Sequence, residues 1–294
     1  MTSETTVAPA YTPGFKKLAK ECILGFFSLT ALFFLFQIPG AKLAPSEKFC
    51  TEESNSYPPP CTRPSLFAFE GVCGIVFVLM TILSVKSWHI DNHPQKALPQ
   101  TAVGRVYGYS PISEKIAALS FVFQVWSCVF TPFIPEFYSP VMMAHHIMAA
   151  TVSYIAVQNQ YYHYYVIFFL SLTEVSSVPL VIMSLAKYYP QVFGAFVPAA
   201  RPLFAISFVY YRVYMWGKIG YCLWSDGFAI LKKDKSSDSG KSIAEYYRPG
   251  KTYALYIILI ANLLLGFLQL FWFSKIVVEV LKMIGIDLYD VSHN

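Results

Sequence analysis

Residues 253–280 read "YALYIILIANLLLGFLQLFWFSKIVVEV", and the first 22 of them carry no charged side chain. A helix needs about 20 apolar residues to cross the hydrocarbon core of a bilayer, at a rise of about 1.5 Å per residue. Lipid offers the backbone no hydrogen-bond partners, so only helices and closed barrels can span it. The stretch has no sustained alternation of apolar and polar residues, and it reads as a membrane helix. Six further blocks of the same kind precede it, at Cys22–Ile38, Ser65–Ser84, Ile116–Ile134, Ser139–Val157, Tyr164–Leu185 and Pro202–Trp224. The fourth and fifth are so closely spaced that a single re-entrant feature is the alternative to two spans. The expected fold is an all-α polytopic membrane protein with about seven transmembrane helices.

Composition agrees with that reading. Of 294 residues 55% are hydrophobic and only 13% charged, against about a quarter charged in soluble domains. Four segments follow: a disordered lead rich in Thr, Pro and Ala (1–15), two N-terminal helices joined by a Cys-containing loop (16–85), a core of five helices (86–282) and a short tail (283–294). Lysines precede the first block, but "IPGAKLAP" after it offers no clean cleavage site, so it reads as a signal anchor. Lys and Arg concentrate before the first span, between the second and third, and between the sixth and seventh. Positive charge stays on the cytosolic side, which favours a cytosolic N-terminus. The first loop then faces the lumen or exterior, where Cys50 and Cys61 are able to form a disulfide. The charged, Ser-rich loop Leu231–Ser242 reads as a flexible connector.

Polar side chains at membrane depth are costly and mark candidate sites. His145 and His146 open the fourth span. Adjacent helical residues point about 100° apart, so the pair cannot clamp a metal as an i, i+4 pair would, and no metal site is expected. One imidazole is expected to line a cavity while the other bonds to a neighbouring helix. In the fifth span, "HYYVIFFLSLTEVSSVPL" (163–180) places His163, Ser171, Glu174 and Ser177 on one helical stripe, with Pro179 bending the helix. A buried Glu stays protonated or finds a cation. Arg212 in "FAISFVYYRVYMW" is the only arginine deep in a span, so a Glu174–Arg212 pair is expected. Asn262 and Gln269 share a face of the seventh span, with Gly266 between them and Trp272 beyond. Glu70 and Gln124 are weaker candidates.

Taken in order, the His145–His146 pair, "TEVSSVPL" (Thr173–Leu180), the aromatic run ending in Arg212 and "LQLFWFSKI" (Leu268–Ile276) resemble the TLC-domain family. That family is named for the translocating-chain-associating membrane protein, the longevity-assurance ceramide synthases and a ceroid-lipofuscinosis protein. The resemblance implies six spans arranged as a barrel around a lipid-sized cavity. It also implies membrane lipids as partners, sphingolipid or acyl-CoA among them, and no cofactor. Residence in the endoplasmic reticulum is expected, with the plasma membrane as the alternative. In the ceramide synthase branch an acyl chain passes from acyl-CoA to a sphingoid base, a role that maps onto His145 or His146. This chain lacks that branch's His-Asp and further Asp after the pair. Its "TEVSSVPL" is closer to the TLC-domain-containing proteins outside the branch.

Three functions remain open at this level. The first is lipid binding or membrane lipid homeostasis without turnover. The second is acyl-CoA-dependent N-acyl transfer, with acyl-CoA as co-substrate. The third is transport, although no repeated halves with broken helices are found. A G-protein-coupled receptor is disfavoured by the missing acidic-Arg-Tyr motif after the third span. Nothing in the sequence points to nucleic acid.

Overall fold

The computed structural model describes residues 15–43, 64–232 and 242–283. The N-terminal lead, Cys50 and Cys61 with their loop, most of the Ser-rich loop and nearly all of the C-terminal tail lie outside the described residues. The described residues are mostly helical: α1 (Phe15–Leu43), α2 (Pro64–Val85) running on into a π-helical turn (Lys86–Ile90), and the short α3 (His93–Ala97) and α4 (Ala102–Tyr107). Next come α5 (Pro111–Phe130), α6 (Pro140–Asn159), α7 (His163–Phe169), a 3-10 turn (Leu172–Ser176) and α8 (Ser177–Tyr188). The remainder is α9 (Pro190–Phe193), α10 (Val197–Ser207), a π-helix (Phe208–Met215), α11 (Trp216–Leu231), α12 (Ile243–Tyr247) and α13 (Thr252–Met283). Among the described residues, seven segments are long and apolar enough to cross a membrane. The protein is a multi-pass integral membrane protein.

Local chemistry sets the helix boundaries. α5 and α6 both begin at Ser-Pro. The Ser110 and Ser139 hydroxyls accept hydrogen bonds from the Ser113 and Met142 amides at 3.3 and 3.1 Å. Pro111 and Pro140 then occupy the first turn, where no amide proton is needed. Between α6 and α7 the chain reverses in three residues, two of them left-handed (Gln160 at φ 52°, Tyr162 at φ 47°). The fourth and fifth blocks are therefore two separate crossings, not a re-entrant feature.

The fifth crossing is interrupted. α7 stops at Phe169, the 3-10 turn follows, and α8 restarts with Pro179 in its first turn. Proline cannot donate to the carbonyl four residues back, so the break sits where the helix would lose that bond in any case. The interruption changes the helical phase. His163 and Ser171 consequently leave the stripe that an unbroken helix would give them with Glu174 and Ser177. The sixth crossing is also longer than its apolar block, running from Pro190 to Leu231.

α1 lies on the outside, against α2 and α5. Gly25 permits its close approach, since a Cβ there would stand 2.8 Å from Val122 Cγ1. Its outer face presents Leu24, Phe27, Phe34 and Ile38, as lipid contact requires. The loops that follow the second, fourth and sixth crossings meet at one end of the bundle. There Tyr107 stacks on Tyr247 (centroids 5.4 Å apart) and the Tyr161 hydroxyl donates to Lys251 O at 3.1 Å. Burial pushes the Tyr161 phenol up to about 12, which keeps the proton on the donor.

Candidate functional site

The opposite half of the bundle contains a cavity of about 580 Å³. Its walls come from α2, α5, α6, the 3-10 turn and α8, α10 with the π-helix, and α13, with residues 136–139 at its rim. Every crossing except α1 contributes. Phe69, Phe77, Phe123, Leu180, Phe204 and Phe208 supply apolar wall. Glu70, Gln124, His145, His146, Glu174, Ser177 and Arg212 supply polar groups.

Arg212 organises one side. It sits in the π-helix, a geometry often found at functional positions, and is 8% exposed. Its Nη2 lies 3.1 Å from Glu174 Oε2, and the same nitrogen donates to Ser177 Oγ at 2.8 Å. Nε donates to Ser176 Oγ at 2.8 Å and to the Thr173 carbonyl at 3.1 Å, while Nη1 donates to Gln269 Oε1 at 3.2 Å. The Ser177 hydroxyl in turn donates to Glu174 Oε2 at 2.6 Å. The broken helix makes this possible, because the 3-10 turn presents a carbonyl, a hydroxyl and a carboxylate to one guanidinium. An unpaired charge at this depth would cost several kcal/mol. The paired arrangement neutralises Arg212 and occupies all three of its nitrogens.

The histidines occupy the other side. His146 Nδ1 stands 2.6 Å from Gln124 Oε1. An amide oxygen only accepts, so Nδ1 carries the proton and Nε2 keeps its lone pair. His145 packs edge-on against Trp272, with centroids 5.4 Å apart. Its Nδ1 is buried with no hydrogen-bond partner among the described residues. On the adjoining wall the Ser184 hydroxyl donates to Glu70 Oε1 at 2.5 Å, joining α8 to α2. Glu70 and Gln124, weak candidates in the sequence, thus stand in the cavity wall.

Other candidates lie elsewhere. The Ser171 hydroxyl donates to Met80 O at 2.7 Å, bracing α2 outside the cavity. His163 Nδ1 accepts from the Ser110 amide and Nε2 donates to Ala156 O, both at 3.0 Å. It is a fully buried structural residue. Asn262 accepts from Trp224 Nε1 at 3.2 Å, an interhelical contact away from the cavity. Gln269 reaches the cavity network through Arg212, and Trp272 lines the cavity directly.

Sequence reasoning missed three groups. Asp226 receives a two-pronged contact from Arg105 and a hydrogen bond from the Tyr165 hydroxyl. Its only signal was an acidic residue two positions beyond the apolar block ending at Trp224. Ser127 on α5 and Thr131 just after its end, both in the cavity wall, carry no signal beyond their i, i+3 and i, i+7 spacing from Gln124.

The TLC domain matches residues 67–278, a range that takes in α2 and every wall of the cavity. No curated protein and no solved structure matches the chain. With its seven crossings and a match over most of its length, this chain belongs to the TLC-domain family, membrane proteins linked to lipid metabolism or sensing.

Proposed function

We propose that this protein binds one amphipathic lipid in the cavity and acts in membrane lipid homeostasis, in the endoplasmic reticulum membrane. The observation that carries the reading is the pairing of aromatic and aliphatic walls with a few converging polar groups in a space of about 580 Å³. Sites for single small molecules occupy about 300–1,000 Å³ and have this mixed lining. The apolar wall suits a fatty chain, and the polar wall suits the head that the chain carries. The saturated Glu174–Arg212 network acts as a fixed part of that wall. The test is photolabelling in membranes with a fatty chain bearing a diazirine. Label on Phe77, Phe123 or Phe208 supports the reading. Label confined to α1 and the outer face of α13 overturns it.

His146 favours a second reading, acyl transfer from acyl-CoA to a lipid amine. Its Nε2 lone pair meets the requirement for a general base. It would take the proton of the amine as nitrogen attacks the thioester carbonyl. The C–N bond forms, the C–S bond breaks, and coenzyme A leaves as the thiol with that proton. Membranes containing the protein, supplied with acyl-CoA and a sphingoid base, distinguish the readings. An amide that vanishes in His146→Ala selects acyl transfer, and no amide above background selects binding.

A further inference from the structure

Ser and Thr hydroxyls in these spans commonly bond back to their own helix. Ser28 donates to Leu24 O, Thr30 to Phe26 O and Thr151 to Ile147 O, each at 2.8 Å. That bond is available to any helical hydroxyl and satisfies it at little cost. Ser127 and Thr131 do otherwise. They are 0% and 1% exposed, they line the cavity, and neither hydroxyl has a hydrogen-bond partner among the described residues. A buried polar group left without a partner costs about 1–3 kcal/mol. Two such groups, Ser127 on α5 and Thr131 in the 3-10 turn (Thr131–Phe133) that ends it, one and two turns beyond the Gln124 that holds His146, point to a partner that enters the cavity.

The charges around them narrow the chemistry of that partner. Arg212 is the buried cation of the lining, and Glu174, Gln269 and three serine or carbonyl oxygens already engage it, while Lys275, the other cation that lines the chamber, is exposed and holds its ammonium 5.3 Å over the Phe271 ring. Arg212 has little left for a phosphate or carboxylate. Hydroxyls facing a ligand give and accept hydrogen bonds without offering net charge.

We propose that Ser127 and Thr131 form a head-group subsite for an uncharged, hydroxyl-bearing lipid with one fatty chain. This inference rests on the lipid-cavity reading and adds the class of head group. The polar head hydrogen-bonds to the two hydroxyls while the chain follows the phenylalanine wall. No covalent step is involved.

The test uses the full-length protein in nanodiscs and a fluorescent fatty acid analogue as the displaceable probe. Competitors share one oleyl chain and differ in head: monooleoylglycerol, methyl oleate, oleylamine and lysophosphatidic acid. Monooleoylglycerol is expected to compete best. Ser127→Ala and Thr131→Val are each expected to weaken it about fivefold, the loss of roughly one hydrogen bond, with methyl oleate unchanged. Equal competition by all four heads overturns the subsite and leaves the cavity reading standing. Tightest competition by oleylamine or lysophosphatidic acid also overturns it. Failure of the probe and every competitor to bind removes the cavity reading and the subsite together. Should either variant fail to fold, the wild-type head-group series alone decides.

Discussion

Nε and Nη2 of Arg105 each lie 2.6 Å from a carboxylate oxygen of Asp226, a contact that bridges 121 positions of sequence. It ties the loop after the second crossing to the sixth, and Tyr165 adds its hydroxyl from the fifth. The hydrogen bonds that Arg105 donates to Asp226 raise its guanidinium above the ordinary value, so it stays charged throughout the physiological range. This network lies at the end away from the cavity, and its role is to fix three crossings relative to one another.

Asp226→Asn is therefore expected to leave Arg105 uncompensated and lower the thermal midpoint in detergent by roughly 5–10 °C. The cost is below that of a fully buried pair because Arg105 keeps some contact with solvent. Combining Asp226→Asn with Arg105→Gln should recover part of the loss, as contacting residues are not additive. Unfolding followed by intrinsic fluorescence checks both outcomes.

The Glu174–Arg212 pair predicts a similar asymmetry at the cavity. Glu174→Gln strands a buried guanidinium and should destabilise by about 3–5 kcal/mol. The double variant Glu174→Gln with Arg212→Gln should be more stable than Glu174→Gln alone. The amount of monodisperse protein recovered after heating reports the order.

His163 predicts a split between stability and ligand. His163→Ala removes partners from the Ser110 amide and the Ala156 carbonyl, at about 2–4 kcal/mol for two buried groups. The protein that survives should carry the same lipid as wild type, since His163 stands apart from the cavity wall. Thermal midpoints and lipid extraction on the same sample separate the two effects.

The seven crossings were legible because membrane depth demands long apolar runs, and no other constraint produces them. The Glu174–Arg212 contact was legible for a related reason: a lone deep arginine needs a carboxylate, and few were available. What failed was phase. Projecting His163 and Ser171 onto the stripe of Glu174 assumed an unbroken helix, whereas the 3-10 turn between Leu172 and Ser176 rotates the two halves independently. Asp226 escaped because hydropathy ended the sixth block at Trp224, while the helix runs on to Leu231. Ser127 and Thr131 were silent because a hydroxyl in a span ordinarily satisfies itself, and only coordinates reveal one that does not.

The central claim, that the chamber holds a single lipid, is tested most directly by native mass spectrometry of protein purified in mild detergent. The comparison sets wild type beside Cys73→Trp, which fills the chamber from α2, and Leu79→Trp, a control on the exposed face of the same helix. One bound lipid per chain is expected in wild type and in Leu79→Trp, and none in Cys73→Trp. The same lipid at equal occupancy in all three would contradict the account.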